Sequence, residues 1–163
     1  MNTVCYLLIF LFEQFVSYMY FKNKFERKRN ALTIIICYLL SFAVQFSVSL
    51  TGMAELNILS FLICNIIVVF VCFSTSIKQN IFNVLLLEVI MIATYPVSLM
   101  LDIQLTEYMN DASVMLFETI ATKSLYFLVV YIFSKISFKE KNKLKNDFSL
   151  SLFVLPLSSV FTL

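Results

Sequence analysis

The chain has 163 residues, of which 61% are hydrophobic and 13% charged, with a single glycine, no histidine and a formal net charge of +2. A soluble domain of this length cannot keep so little polar surface against water, so the composition points to a membrane protein. Glycine-rich nucleotide loops and His-dependent catalytic or metal patterns are excluded by the same counts.

The first apolar run, 3–21, has no cation before it, is interrupted by Glu13 and is followed by basic residues. It therefore reads as a retained span and not as a cleaved signal peptide. The gap at 22–30 carries Lys22, Lys24, Arg27, Lys28 and Arg29. A second run, 31–50, is followed by the gap 51–57, which holds Glu55 and no cation. The third run, 58–73, is shorter and is expected to stand upright or to borrow flanking residues. After Lys78 in the gap 74–80 comes the fourth run, 81–101, which contains Tyr95 and Pro96. A proline at that depth removes a backbone hydrogen bond and kinks the helix, as a hinge or simply as bundle shape.

The next gap, 102–112, holds Asp102, Glu107 and Asp111 without a cation, and the fifth run covers 113–134. Segment 135–147 is again basic, with Lys135, Lys139, Lys141, Lys143 and Lys145. The last apolar stretch, 148–163, covers only about 24 Å as a helix, against a hydrocarbon core of roughly 30 Å. It reads as a truncation, or as a short sixth helix whose end just reaches the outer interface.

The runs are continuous and do not alternate apolar with polar, which selects helices over a barrel. The expected fold is an all-α polytopic transmembrane helix bundle of five full spans plus a sixth, in one domain. Every second gap is basic, and basic gaps stay on the cytoplasmic side, so the N-terminus is expected outside. The basic clusters are short and lie against spans, which suits contact with anionic lipid of the bilayer and not with nucleic acid. Cys5, Cys37, Cys64 and Cys72 fall inside apolar runs without a close pair, so they read as small apolar residues. Neither a metal nor a cofactor is expected.

Four ionisable groups fall within spans: Glu13, Glu88, Glu118 and Lys123. Each costs about 2.5–3.5 kcal/mol to insert, so each needs a partner or a role. Counted from the inner ends of their spans, Glu13, Lys123 and Glu88 lie roughly 12, 16 and 10 Å deep. Lys123 is therefore expected to pair with Glu13 or Glu88, either as a structural contact or in a signalling or transport role. Glu118 lies near the outer end of its span and is best placed to meet something arriving from outside. Gln14, Gln45, Asn57, Asn65 and Asn83 are expected to hydrogen-bond between helices, at about 1 kcal/mol each.

An outside N-terminus, a first span running into Phe21 and then Phe25-Glu26-Arg27-Lys28-Arg29-Asn30, short loops and a second basic segment after span five form a pattern. It resembles the membrane sensor region of GHKL-type sensor histidine kinases, notably peptide-pheromone receptors of the accessory gene regulator type in low-GC Gram-positive bacteria. The resemblance covers essentially the whole chain but rests on topology, composition and one juxtamembrane basic patch. It implies a module in the bacterial cytoplasmic membrane that recognises an extracellular peptide, a homodimer, and a cytoplasmic kinase that follows. The chain departs from the complete pattern because a phosphoacceptor needs histidine. Parity then requires a seventh span, so these residues are expected to be the sensor alone, with no catalytic residue. The outer gaps, with Met53, Glu55, Leu56, Ile103, Leu105, Tyr108 and Met109, combine exposure with apolar groups suited to a hydrophobic peptide. With Glu118 they form the expected ligand surface, and ordinary interhelical loops are the alternative. A small-solute transport subunit and a membrane scaffold are the competing functions.

Overall fold

In the computed structural model, which describes residues 3–105 and 111–135, the chain is mostly helical. Its helices are α1 (Thr3–Lys24), α2 (Ala31–Ser49), α3 (Ala54–Cys72), α4 (Ile77–Ala93), α5 (Tyr95–Leu105) and α6 (Asp111–Lys135). Three of them, α2, α3 and the Ser113–Lys135 part of α6, are long and apolar enough to cross a membrane. The stretch 148–163 and the lysine-rich segment 136–147 lie outside the described residues.

The helices around the first two basic gaps begin on side-chain caps. The Asn30 side-chain oxygen accepts from the Thr33 amide at 3.1 Å, and the Ser76 hydroxyl accepts from the Gln79 amide at 3.3 Å. Each cap satisfies an amide that the first turn leaves open. At its other end α2 turns into α3 through Gly52, whose φ of 71° lies in the left-handed region. A Cβ there would meet nothing within 4 Å, so only the backbone conformation asks for glycine. Gly52→Ala should therefore cost about 1 kcal/mol, measurable as a lower midpoint in denaturant titration of the protein in mixed micelles.

One boundary takes an expected form and one departs, each for a local reason. Helix α3 begins at Ala54, so the short third run borrows its missing turn from the gap 51–57, as one of its two expected arrangements has it. The fourth run is not one helix: α4 stops at Ala93 and α5 begins at Tyr95. Proline has no N–H for the carbonyl four residues back, and its ring crowds that carbonyl. The backbone responds just ahead of Pro96, where the Thr94 amide and hydroxyl both turn to the Met91 carbonyl, at 3.3 and 2.7 Å. Pro96 thereby falls in the first turn of α5, where an absent N–H costs nothing.

A further departure from an all-helical chain is small but positional. Strands β1 (Glu26–Arg27) and β2 (Phe73–Ser74) pair antiparallel, with Arg27 opposite Phe73, and the Lys28 amide donates to the Cys72 carbonyl at 2.9 Å. This ribbon ties the end of α1 to the end of α3. The Asn23 amide donates to the Ser134 hydroxyl at 3.2 Å, bringing the end of α6 to the same place. The gaps 22–30 and 74–80 and the residue Lys135 therefore share one end of the bundle. Lys22 and Lys135 lie 5.9 and 5.5 Å from the Tyr18 and Tyr131 rings, a cation-on-aromatic arrangement that anchors ammonium groups at an interface. Lys24 at this end is half-buried, and desolvation holds its ammonium below the usual lysine range.

Around the bundle, α1 packs on α2, α2 on α3, α3 on α4, α4 on α6 and α6 back on α1, while α5 lies mainly against α6. The outer faces are apolar: Leu32, Ile35 and Leu39 on α2, Ile63, Ile67 and Phe70 on α3, and Leu116, Ile120 and Leu128 on α6 are all exposed. The interior holds Glu13, Gln14, Ser17, Gln45, Asn65, Asn80 and Glu88 beside Tyr20, Phe21, Phe73 and Tyr126. Apolar outside with polar inside is unfavourable in water and ordinary in hydrocarbon, where the outer face gains nothing by hiding.

Candidate functional site

Helix α1 carries the interior polar groups on one face, at Glu13, Gln14, Ser17 and Tyr20, with spacings of three and four residues that stack on a single side. Each reaches a different neighbour. The Lys123 ammonium of α6 donates to Glu13 Oε1 at 2.5 Å. Gln14 Nε2 donates to Gln45 Oε1 of α2 at 2.7 Å, and Gln45 Nε2 passes the chain on to the Ser41 hydroxyl at 3.1 Å. The Ser17 hydroxyl donates to Asn65 Oδ1 of α3. Tyr20 donates its phenol proton to Asn83 Oδ1 of α4 at 2.9 Å. One helix is thus hydrogen-bonded through side chains to four others.

Bonds of this kind hold a membrane bundle where burial of apolar surface cannot, each worth about 0.6–2 kcal/mol. The Asn side chains are satisfied on their second side as well: Asn65 Nδ2 donates to the Phe61 carbonyl at 2.9 Å and Asn83 Nδ2 to the Gln79 carbonyl at 2.8 Å. Asn80 Nδ2 joins α4 to α3 through the Ile66 carbonyl at 3.0 Å.

The charged part of this interior is Glu13, Lys123 and Glu88. Of the two carboxylates offered to Lys123, the structure gives it Glu13, whose side chain is 8% exposed while that of Lys123 is 28% exposed. Glu88 is buried at 3% exposure, and neither of its oxygens has a hydrogen-bond partner. The Tyr126 hydroxyl, buried on α6 one turn beyond Lys123, is likewise without one. Glu13 is an electrostatic neighbour of Glu88, and both act on Tyr126. Among the described residues no group of three His, Cys, Asp or Glu could hold a metal ion.

The residues expected to face outward fall into separate places. Met53, Glu55 and Leu56 are exposed at the start of α3. Ile103 is exposed and Leu105 half-buried in the last turn of α5. Since α3 packs on α2 and α4 while α5 packs mainly on α6, no extensive packing joins the two sets. Tyr108 and Met109 lie outside the described residues. Glu118 is half-buried in α6.

Comparison with protein-family models, with curated proteins and with solved structures returns no match to the chain. Function therefore rests on the geometry. Ser17, Tyr20, Asn80 and Tyr126 belong to the polar interior and were not singled out by reading the sequence. Ser17 and Tyr20 had a signal: they continue the Glu13-Gln14 face at helical spacing through an apolar run.

Proposed function

We propose that this chain is the membrane-embedded signal-receiving module of a bacterial sensor histidine kinase, with its N-terminus outside and its basic end in the cytoplasm. The fourth span is then α4 and α5 together. The observation that carries the reading is the double tie between α1 and α6: Lys123 to Glu13 in the middle and Asn23 to Ser134 at the basic end. Helix α6 leads into the lysine-rich segment 136–147, so a displacement of α3 by a ligand at its outer start would reach α1 through the Ser17–Asn65 bond and pass through α6 to whatever follows on the inside. The β1–β2 ribbon supports the orientation by collecting the basic gaps at one end, as retention of cationic loops on one side demands. The outer ligand in this reading is a hydrophobic peptide meeting Met53 and Leu56 at the exposed start of α3, apart from Ile103 on α5, and the working unit is a homodimer.

The test begins with the coding frame beyond Leu163, where a seventh span, a histidine-bearing helix and an ATP-binding domain are expected. A stop codon directly after Leu163 sinks the proposal. Orientation is checked in intact cells lacking the native cysteines: a cysteine at Glu55 should react with an impermeant maleimide, and one at Lys28 only after lysis. Labelling of the Lys28 position from outside reverses the topology and removes the outer ligand surface with it.

A further inference from the structure

The interior charges do not balance. Glu13 and Glu88 are two carboxyl groups, and the one ammonium that the described residues bring to them, Lys123, sits 2.5 Å from Glu13. Glu88 is left at 3% exposure with both oxygens bare, among Val84, Leu87 and Ile90 of its own helix, which are also buried. An unpaired carboxylate buried in this way is far too costly to persist in hydrocarbon. A further positive charge is required.

The surroundings of Glu88 restrict what that charge can be. From α1 it is faced by Glu13, and from α6 by Tyr126. The packed side of α3 adds two thiols, the buried Cys72 and the half-buried Cys64, and none of the described side chains of α5 titrates. Divalent cations take six or more oxygen ligands, which this cluster does not supply. Among the described residues the bare groups here are the two carboxyl oxygens and the Tyr126 hydroxyl, and a proton removes the buried charge without requiring a set of ligands. We propose that Glu88 is a proton-binding site in the middle of the bundle, occupied in the arrangement in which Lys123 holds Glu13. Glu13 joins the two sites: it is held by Lys123 and is the electrostatic neighbour of Glu88, so proton occupancy of Glu88 and the α1–α6 tie are linked. This holds whatever the outer face binds.

Infrared spectroscopy of the full chain in lipid nanodiscs at neutral pH tests the site directly. A carbonyl stretch of a protonated carboxyl should be present in the wild type and in Glu118→Gln, and lost in Glu88→Gln. Absence of the band from the wild type overturns the proposal, as does its survival in a folded Glu88→Gln protein. Should Glu88→Gln fail to fold, Glu88→Asp keeps a carboxyl and should move the band to a new frequency; an unmoved band assigns it elsewhere and overturns the proposal. The wild-type band should also be the same in sodium chloride and choline chloride at fixed pH. Its disappearance in sodium alone would make the occupant a metal cation instead.

Discussion

Replacing Lys123 with Met should lower the stability of the bundle by about 3 kcal/mol, because it strands the carboxylate of Glu13 in a buried position. Two routes are open to the stranded group. It can remain charged in low dielectric, or take up a proton, which at pH 7 costs a glutamate about 4 kcal/mol relative to its ordinary titration. The cheaper route sets the loss, and the partial exposure of Lys123 leaves some water access that brings the value below that ceiling. Glu13→Gln in the same chain should restore most of the stability, since a neutral amide can hydrogen-bond locally without a counter-charge. The ion pair itself is worth little against such a neutral replacement; breaking half of it is what costs. Reversible unfolding in mixed micelles, followed by helical circular dichroism, gives the complete double-mutant cycle. A Lys123→Met protein within about 0.5 kcal/mol of wild type, the usual scatter of independent surface sites, would show that Glu13 does not depend on it.

The sequence made this pair visible through depth alone. Alternating basic gaps set the ends of the spans, the ends set the heights of Glu13, Glu88 and Lys123, and the chain places the Lys123 ammonium on Glu13. Depth could not choose between the two carboxylates, because that depends on which way each helix is rotated, and a span surrounded by apolar residues gives weak rotational information. Rotation was readable in principle from the polar face of α1, where Ser17 and Tyr20 repeat the spacing of Glu13 and Gln14. Those two residues are small or half-apolar and are easily passed over in an apolar run.

Long-range details were less accessible. The β1–β2 ribbon pairs residues separated by the whole of α2 and α3, and two-residue strands have no periodicity to detect. Pro96 announced a disturbance in the fourth run, but whether a proline bends a helix or ends it depends on the neighbours available to the freed carbonyls. Here the Thr94 amide and hydroxyl take the Met91 carbonyl, and the helix ends.

Ser17→Leu should be nearly as damaging as Lys123→Met, at about 3 kcal/mol, for a reason that involves no charge. Ser17 is completely buried where α1 meets α3, and its hydroxyl donates to Asn65. Losing the bond alone, as in Ser17→Ala, should cost only about 0.6 kcal/mol, the usual value for a polar contact between spans. A leucine adds overpacking of typically 1–3 kcal/mol, and it acts close to the Gln14–Gln45 bond one turn earlier on the same face. Wedging α1 from α3 therefore stretches the tie to α2 as well. The control lies two residues away at Phe15, which is 55% exposed and faces the lipid side. Phe15→Leu exchanges one apolar group for another against hydrocarbon and should change stability by less than about 0.5 kcal/mol. Were the apolar face of α1 turned inward, as in a soluble bundle, the order would be the reverse, with the aromatic position sensitive and the serine tolerant. If Phe15→Leu proves as costly as Ser17→Leu in the same micellar titration, α1 is rotated relative to this structure, and the polar face does not point inward.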